Sequence, residues 1–279
     1  MRKPAAKRLV DPHREFVSLF KDNCHRHRPH SVFSDFCEMA ALSMSNAVDL
    51  SQYAPREARY LEIVKGYSAD EVARFPQMLA CVTEALEVRM HDCLGQLFMS
   101  LEMGNHWKGQ FFTPYELAGL MARMTVHDAK DQIQQRGHIT VMEPASGAGA
   151  MVIAIADAMR EQGLNYQQCM HVTAVDIDPT AAHMCYVQLA LLHVPAVVVV
   201  GNSLSLEEHG HWFTPAHVMG GWGRRLRERQ ALDDLQTLDT QAHLLPAIPR
   251  EDQPAAGVVV EATPSPRNQP APLVQADLF

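Results

Sequence analysis

One stretch of this 279-residue chain constrains the fold more than any other: an apolar run that leads through a glycine turn into a helix. Residues 139–142 are β-branched or apolar, which predicts a short buried strand. The segment Glu143-Pro144-Ala145-Ser146-Gly147-Ala148-Gly149 follows, and residues 150–159 then carry an apolar helical pattern. Because Gly147 and Gly149 lack a Cβ, their backbone can approach a bound molecule closely. Such a unit begins an open α/β sheet whose ligand lies over the carboxyl end of the strand.

Two further strands are predicted downstream, and each ends in polar residues. Residues 171–175 lead into Asp176-Ile177-Asp178-Pro179, and residues 196–200 lead into Gly201-Asn202-Ser203-Leu204. An acid at the end of the second strand is placed to accept hydrogen bonds from ribose hydroxyls. The ends of the three strands are therefore expected to form one pocket.

A fourth element precedes the sheet, at Gly109-Gln110-Phe111-Phe112-Thr113-Pro114-Tyr115-Glu116. Thr113 and Glu116 have the spacing of a capping box, and Pro114 suits the first helical position. We therefore expect a helix to begin here, immediately before the first strand unit.

In order and spacing, these four elements resemble the methyltransferases that modify the adenine amino group in DNA, especially the modification subunits of type I restriction systems. The resemblance covers residues 109–204, about a third of the chain. It implies S-adenosylmethionine as the cofactor and DNA as the partner. It assigns the methionine part to the glycine turn, the ribose to the acid after strand two, and the adenine to the segment after strand three. The residues so implied are Phe112, Thr113, Glu143, Ser146, Gly147, Gly149, Asp176, Ile177, Asn202 and Leu204.

The chain departs from that family in two places. Asn202 stands where the family has aspartate, and an amide differs from a carboxylate in its donors and acceptors. The family's catalytic segment, Asn/Asp-Pro-Pro-Tyr/Phe, occurs nowhere in the sequence. An exocyclic amine is a poor nucleophile that this segment orients for attack. The catalytic residues are therefore unassigned, and an unusual place in this chain or a partner chain would have to supply them.

The fold class predicted is α/β, with an N-terminal helical domain before a truncated, Rossmann-like, S-adenosylmethionine-dependent methyltransferase domain. The expected domains are a helical domain at 1–105, a partial methyltransferase domain at 106–240 and a flexible tail at 241–279. Only three of the family's seven strands are evident. Strand one is then a bare edge unless the N-terminal helices, another chain or residues 258–260 cover it, so we expect a homo- or hetero-oligomer.

Composition and charge narrow the remaining choices. A net charge of −8 disfavours purely electrostatic wrapping of DNA. The six cysteines form no C-x-x-C pair, which is typical of reduced, buried thiols. No apolar run approaches the length of a membrane span and the basic start lacks an apolar signal core, so we expect a cytoplasmic protein.

Three polar tracts have both an ordinary and a functional interpretation. Residues 24–30 are interpreted as a solvated turn and not as a metal or phosphate site, because their spacing fits no standard site. His209, His211 and His217 lack an acidic or thiol companion at ligand spacing, so no metal is expected. The four arginines of residues 224–229 fit a phosphate contact or a solvated helix face equally well.

The end of the sequence carries a short motif of its own. Gln275, Asp277, Leu278 and Phe279 resemble the peptide by which bacterial replication and repair proteins dock on the sliding clamp. The two apolar side chains would fill a pocket on the clamp, and the two polar ones would set the register.

Two functions follow from these observations. The first is an S-adenosylmethionine-binding DNA adenine-N6 methyltransferase of a restriction-modification type, with impaired catalysis. The alternative is a non-catalytic accessory, regulatory or anti-restriction protein of a bacterial mobile element, recruited to the sliding clamp by its C-terminal peptide.

Overall fold

A computed structural model describes residues 11–101 and 112–244, with the side chains of 236 and 238–244 left out. Residues 12–100 are mainly helical. Asp11 caps the first helix, and Ser68 with Glu71 forms a capping box at the start of the fourth. The helices are α1 (Pro12–Asn23), α2 (Pro29–Asn46), a single 3-10 turn (Leu50–Gln52), α3 (Tyr53–Val64), α4 (Ala69–Val88) and α5 (Cys93–Ser100).

Two sequence predictions in this region meet different outcomes. Residues 24–28 form the expected turn before α2. The helical pattern of residues 88–103 predicts that the register of α4 continues, and this is wrong for the segment between α4 and α5. The chain is extended at Arg89, and the Asp92 carboxylate then starts α5 by accepting the N–H of Gly95 at 2.8 Å. An N-cap of this kind fixes a new helix start.

The second part of the chain forms a mixed sheet flanked by helices, and the predicted α/β class is confirmed. The order of the four strands found in the described residues is β1-β2-β3-β4. The first three are parallel and the fourth is antiparallel to β3. The elements are α6 (Tyr115–Thr125), α7 (Ala129–Arg136), β1 (Ile139–Glu143), α8 (Ala150–Glu161), α9 (Tyr166–Cys169), β2 (Met170–Asp176), α10 (Pro179–Leu191), β3 (Ala196–Asn202), β4 (Glu207–Phe213), α11 (Pro215–Met219) and α12 (Trp222–Leu244).

The sequence of residues 210–222 predicts a loop and a short helix start, and the strand β4 shows that this is wrong for residues 210–213. Glu207–Phe213 is polar and mostly exposed, so it lacks the apolar alternation that marks a half-buried strand. It is a strand because it pairs with β3, where Val198 lies opposite Trp212. It adds to the edge of the sheet at β3 and leaves β1 at the other edge.

The helical region and the sheet pack directly on each other. Helix α2 lies against α10, and the Ser34 and Thr180 hydroxyls approach to 3.1 Å. The fully buried amide of Gln188 in α10 donates to Asp92 Oδ1 at 2.9 Å and accepts the N–H of Leu94 at 3.0 Å. The chain divides into two compact units, 1–233 and 234–279, and the first contains both the helical region and the sheet. The boundaries predicted at 105 and 240 stay predictions.

Aromatic and imidazole rings from β2, α11 and α12 pack on one another beside the sheet. His171 in β2 shares a 2.8 Å hydrogen bond with His217 in α11, and Trp222 packs against both His138 and His171. The guanidinium of Arg225 stacks 3.7 Å above the Trp222 ring. This part of the basic stretch therefore packs on the protein. Within the described helices, none is long and apolar enough to cross a membrane.

Two buried, neutral histidines make the stability of the fold depend on pH. Burial, reinforced by the neighbouring positive groups, lowers the pKa of His171 to about 3, and burial lowers the pKa of His183 to about 4. The unfolded chain takes up these protons below its ordinary value of about 6.5, whereas the folded chain does not. Their contribution to stability is therefore complete above that value and is lost as the pH falls towards 4.

We expect His183→Gln to flatten this loss. Between about pH 7.5 and about pH 5 the wild-type free energy of unfolding should fall about 1–2 kcal/mol further than that of the variant. Urea unfolding followed by circular dichroism measures both. Parallel pH profiles would show that His183 is not the neutral buried group described.

Candidate functional site

The carboxyl ends of the parallel strands bring three predicted residues to one edge of the sheet. Glu143 ends β1 in register with Ala174, and Asp176 ends β2 in register with Val200. Asn202 ends β3. Parallel strands of such a sheet present their ligands at this edge.

The glycine turn after β1 is held in a conformation that favours glycine. Gly147 and Gly149 have φ of 53° and 98°, both in the left-handed region. The Ser146 N–H donates to the carbonyl of Val175 in β2 at 2.8 Å, and the Gly149 N–H donates back to the Ser146 carbonyl at 2.8 Å. The turn is thus fastened to the neighbouring strand before α8 begins.

Asp176 is the polar centre of the edge. Its Oδ2 accepts the Gly147 N–H at 2.7 Å and its Oδ1 accepts the Asp178 N–H at 2.9 Å. Burial raises the pKa of this carboxyl, and the two N–H donors oppose that shift. Because a carboxylate has about four acceptor positions, each oxygen can still accept a further hydrogen bond.

Asn202 forms a local turn that sequence analysis did not foresee. Its Oδ1 accepts the N–H of Leu204 at 2.9 Å and that of Ser205 at 3.3 Å. These two bonds use the acceptor, so the amide Nδ2 is the group left for a ligand. The substitution of Asn for the family's Asp therefore changes this position from an acceptor to a donor.

Apolar side chains stand exposed beside these polar groups. Ile177 is 65% exposed and Leu204 is 95% exposed, although both are large and aliphatic. The neighbouring Met142 of β1, which sequence analysis did not single out, is 62% exposed. Met142 immediately precedes Glu143 at the end of the predicted strand, and this position is the sequence signal that could have found it.

The other two polar residues predicted in the turn, Glu143 and Ser146, differ in how accessible their side chains are to a ligand. Glu143 Oε1 accepts the Ala145 N–H at 3.2 Å and is only partly buried, so its carboxylate stays accessible. The Ser146 hydroxyl is buried beside the Cys185 thiol and has no well-formed hydrogen bond within the described part of the chain. Because its N–H and its carbonyl are both used in hydrogen bonds, the role of Ser146 is to fasten the turn.

In the segment that precedes α6, Phe112 lies against the glycine turn, whereas the predicted capping box does not form. The Phe112 ring packs against Phe98 and lies where a side chain at Gly147 would project, 2.8 Å from an ideal Cβ. The capping box at Thr113 and Glu116 is wrong: Pro114 is the N-cap, and no side chain caps α6. The helix begins one residue later than the capping-box spacing requires, so Thr113 lies outside it and Pro114 takes the N-cap position. Gly109, Gln110 and Phe111 lie outside the described residues.

Two other tracts singled out in the sequence contribute no described residue to this edge. His217 bonds His171 and His211 packs on Phe213, and the described residues hold no cluster of three or more side chains suited to a metal. The docking peptide at Gln275, Asp277, Leu278 and Phe279 lies outside the described residues, as does the candidate strand at 258–260. Both remain predictions.

The fold and this edge together define a Rossmann-like sheet. Three parallel strands, a glycine turn into a helix and an acid after β2 are its parts, and all are present. A solved structure from Listeria monocytogenes, described as a class I S-adenosylmethionine-dependent methyltransferase, aligns over 75% of this chain and 69% of that chain. The sequence identity is 11% and the TM-score is 0.37.

Residues 98–219 match the family model described as N-6 DNA Methylase. The match contains the segment before α6, the glycine turn and the ends of β2 and β3. This part of the chain is therefore similar to the N-6 DNA methylases, as the motifs predicted. A search of curated proteins gives no match.

The turn should tolerate a methyl group at Gly149 poorly. An added Cβ would lie 3.1 Å from Cys185 Sγ and 3.6 Å from its Cα, in the rigid helix α10. Gly163 has a comparable φ of 73° and no atom within 4 Å of its Cβ. We expect Gly163→Ala to cost about 1 kcal/mol of stability from backbone strain alone, and Gly149→Ala about 2–3 kcal/mol.

Urea unfolding of the two variants measures the difference, since the strain is common to both. Equal losses would mean that the contact with Cys185 relaxes freely and does not hold the turn.

Proposed function

We propose that the carboxyl edge of β1, β2 and β3 binds S-adenosylmethionine and that the protein acts at DNA as a member of the adenine-N6 methyltransferase family. The observation that carries the proposal is the half-buried Asp176 carboxylate, anchored by Gly147, with exposed Ile177 next to it in the chain and exposed Leu204 after the end of β3. This combination of free acceptors and apolar walls suits an adenosine, whose ribose offers hydroxyl donors and whose base has two apolar faces.

Each residue of the edge fits one part of the cofactor. Asp176 would accept from the ribose hydroxyls, and the partly exposed Glu143 carboxylate would pair with the α-amino group. Ile177 and Leu204 would flank the adenine, and the Asn202 amide would donate to one of its ring nitrogens. The cofactor supplies a methyl group on a sulfonium, which is a good leaving group. The two carboxylates favour binding of this cationic ligand.

The position of β4 explains why methyl transfer to adenine would need catalytic residues beyond those at this edge of the sheet. The family's catalytic segment follows a strand beside strand one, whereas β4 lies at the opposite edge and runs antiparallel. It is followed by Thr214-Pro215, and the Thr214 hydroxyl accepts the N–H of Ala196 at 2.9 Å and donates to the carbonyl of Val194 at 2.8 Å. This residue therefore serves the turn at the start of β3.

That arrangement favours a second function, a non-catalytic accessory or regulatory protein that binds the cofactor at DNA. The two functions share the cofactor site and differ only in whether a methyl group is transferred. A tritiated-methyl transfer assay on unmethylated DNA separates them. Incorporated label establishes the enzyme, and cofactor binding without label favours the accessory role.

Isothermal titration with S-adenosylmethionine tests the site itself. We expect Leu204→Ala to weaken binding about three- to tenfold, because it removes an apolar wall while costing no stability. Asp176→Asn should weaken binding about tenfold or more, since the amide offers one acceptor fewer and no charge.

Asp157→Asn is the matched control, because Asp157 pairs with Arg160 on the exposed side of α8. Its affinity should equal that of the wild type. Binding that is absent from the wild type, or that is unchanged in both Leu204→Ala and Asp176→Asn, would refute this site.

A further inference from the structure

Helix α6 is apolar on two opposite sides, and within the described residues only one side is covered. Ala118 and Ala122 are fully buried on the side that packs against α8. The other side carries four large side chains at helical positions i, i+3, i+4 and i+7, which form one continuous stripe. This α6 stripe consists of Leu117, Leu120, Met121 and Met124, exposed by 49%, 58%, 46% and 71%.

The strand β1 has an unpaired edge in the same part of the molecule. It pairs with β2 on one side, and no described strand pairs with it on the other. Helix α8 packs against both α6 and β1, and α7 lies between α6 and β1 in the chain and contacts β1. Both elements therefore border α8, and we take the α6 stripe together with the β1 edge as one surface.

This surface lacks the features that normally protect a monomer. Edge strands are usually blunted by charged residues, proline or a bulge. Of the five residues of β1 only Glu143, at its end, is charged and none is proline, and the pairing with β2 is regular. A contiguous exposed patch of large apolar side chains such as the α6 stripe marks an interaction surface. Both observations call for a cover that brings its own strand and its own apolar helix face.

We propose that this surface is a two-fold interface between two copies of the chain. A two-fold axis perpendicular to the sheet makes the two β1 strands antiparallel and keeps both α6 helices on the same face of a continuous sheet. The second copy then covers the β1 edge with its own unpaired strand and the α6 stripe with its own uncharged apolar stripe.

The charges of β1 fit this pairing. With the axis at Val141, Glu143 of one copy lies opposite Ile139 of the other, so the two carboxylates stand at opposite ends. Met142 lies opposite Thr140, and both are exposed on the same face of the sheet. Parallel pairing would set the two carboxylates side by side, at a cost. The uncharged stripe likewise offers nothing to a nucleic acid or a strongly charged partner.

Sedimentation velocity of the full chain from about 1 to about 100 µM tests the proposal, and we expect a dimer whose fraction rises with concentration. The double variant Leu120→Lys, Met124→Lys should weaken the dimer roughly a hundredfold, because it buries two ammonium groups per copy. Both positions are exposed in one copy, so the urea midpoint of the dissociated chain should be unchanged.

Val88→Lys is the control, because Val88 is 81% exposed at the end of α4 and apart from the α6 stripe. It should dimerise as the wild type does. A wild type that stays monomeric throughout this range overturns the proposal, and so does a double variant with unchanged self-association.

Amide hydrogen exchange examines the strand half of the interface. The N–H groups of residues 139–143 should become protected as concentration rises, and this gain should vanish in the double variant. A dimer that forms without any change of exchange in β1 would also overturn the proposed pairing. Since the proposal does not depend on cofactor binding, its failure would leave the cofactor site intact.

Discussion

The hydrogen bond from the Gly147 N–H to the Asp176 carboxylate is the contact on which the candidate site depends. It joins the turn after β1 to the end of β2 at 2.7 Å and fixes one oxygen of the carboxylate. The turn can make this bond because Gly147 adopts a positive φ and has no side chain to collide with Phe112. A single backbone donor thus sets both the shape of the turn and the direction of the acid.

Much of this site could be predicted from the sequence, because the strands that form it are short runs of β-branched residues with polar ends. Parallel pairing then brings Glu143, Asp176 and Asn202 to one edge without further information. What the pattern could not give is hydrogen-bond direction. The acceptor of Asn202 is used by its own turn, and the Ser146 hydroxyl is turned towards Cys185.

The errors in the predicted fold have a common physical origin, since each concerns an element defined by tertiary contacts. The strand β4 is too polar to be recognised by itself and forms by pairing with β3. The break between α4 and α5 depends on Asp92, whose carboxylate both caps α5 and accepts from Gln188 in α10. Local periodicity carries no information about a partner so far along the chain.

The buried amide of Gln188 also has a consequence for how the molecule folds. Its partners Asp92 and Leu94 lie 96 and 94 positions away, and it also donates to the carbonyl of Ala148 at 2.8 Å. Either half of the chain alone would expose these groups to water, so their buried hydrogen bonds exist only where the two halves are packed together. The early helices and the sheet therefore consolidate together, and closing so long a loop makes that step a slow one.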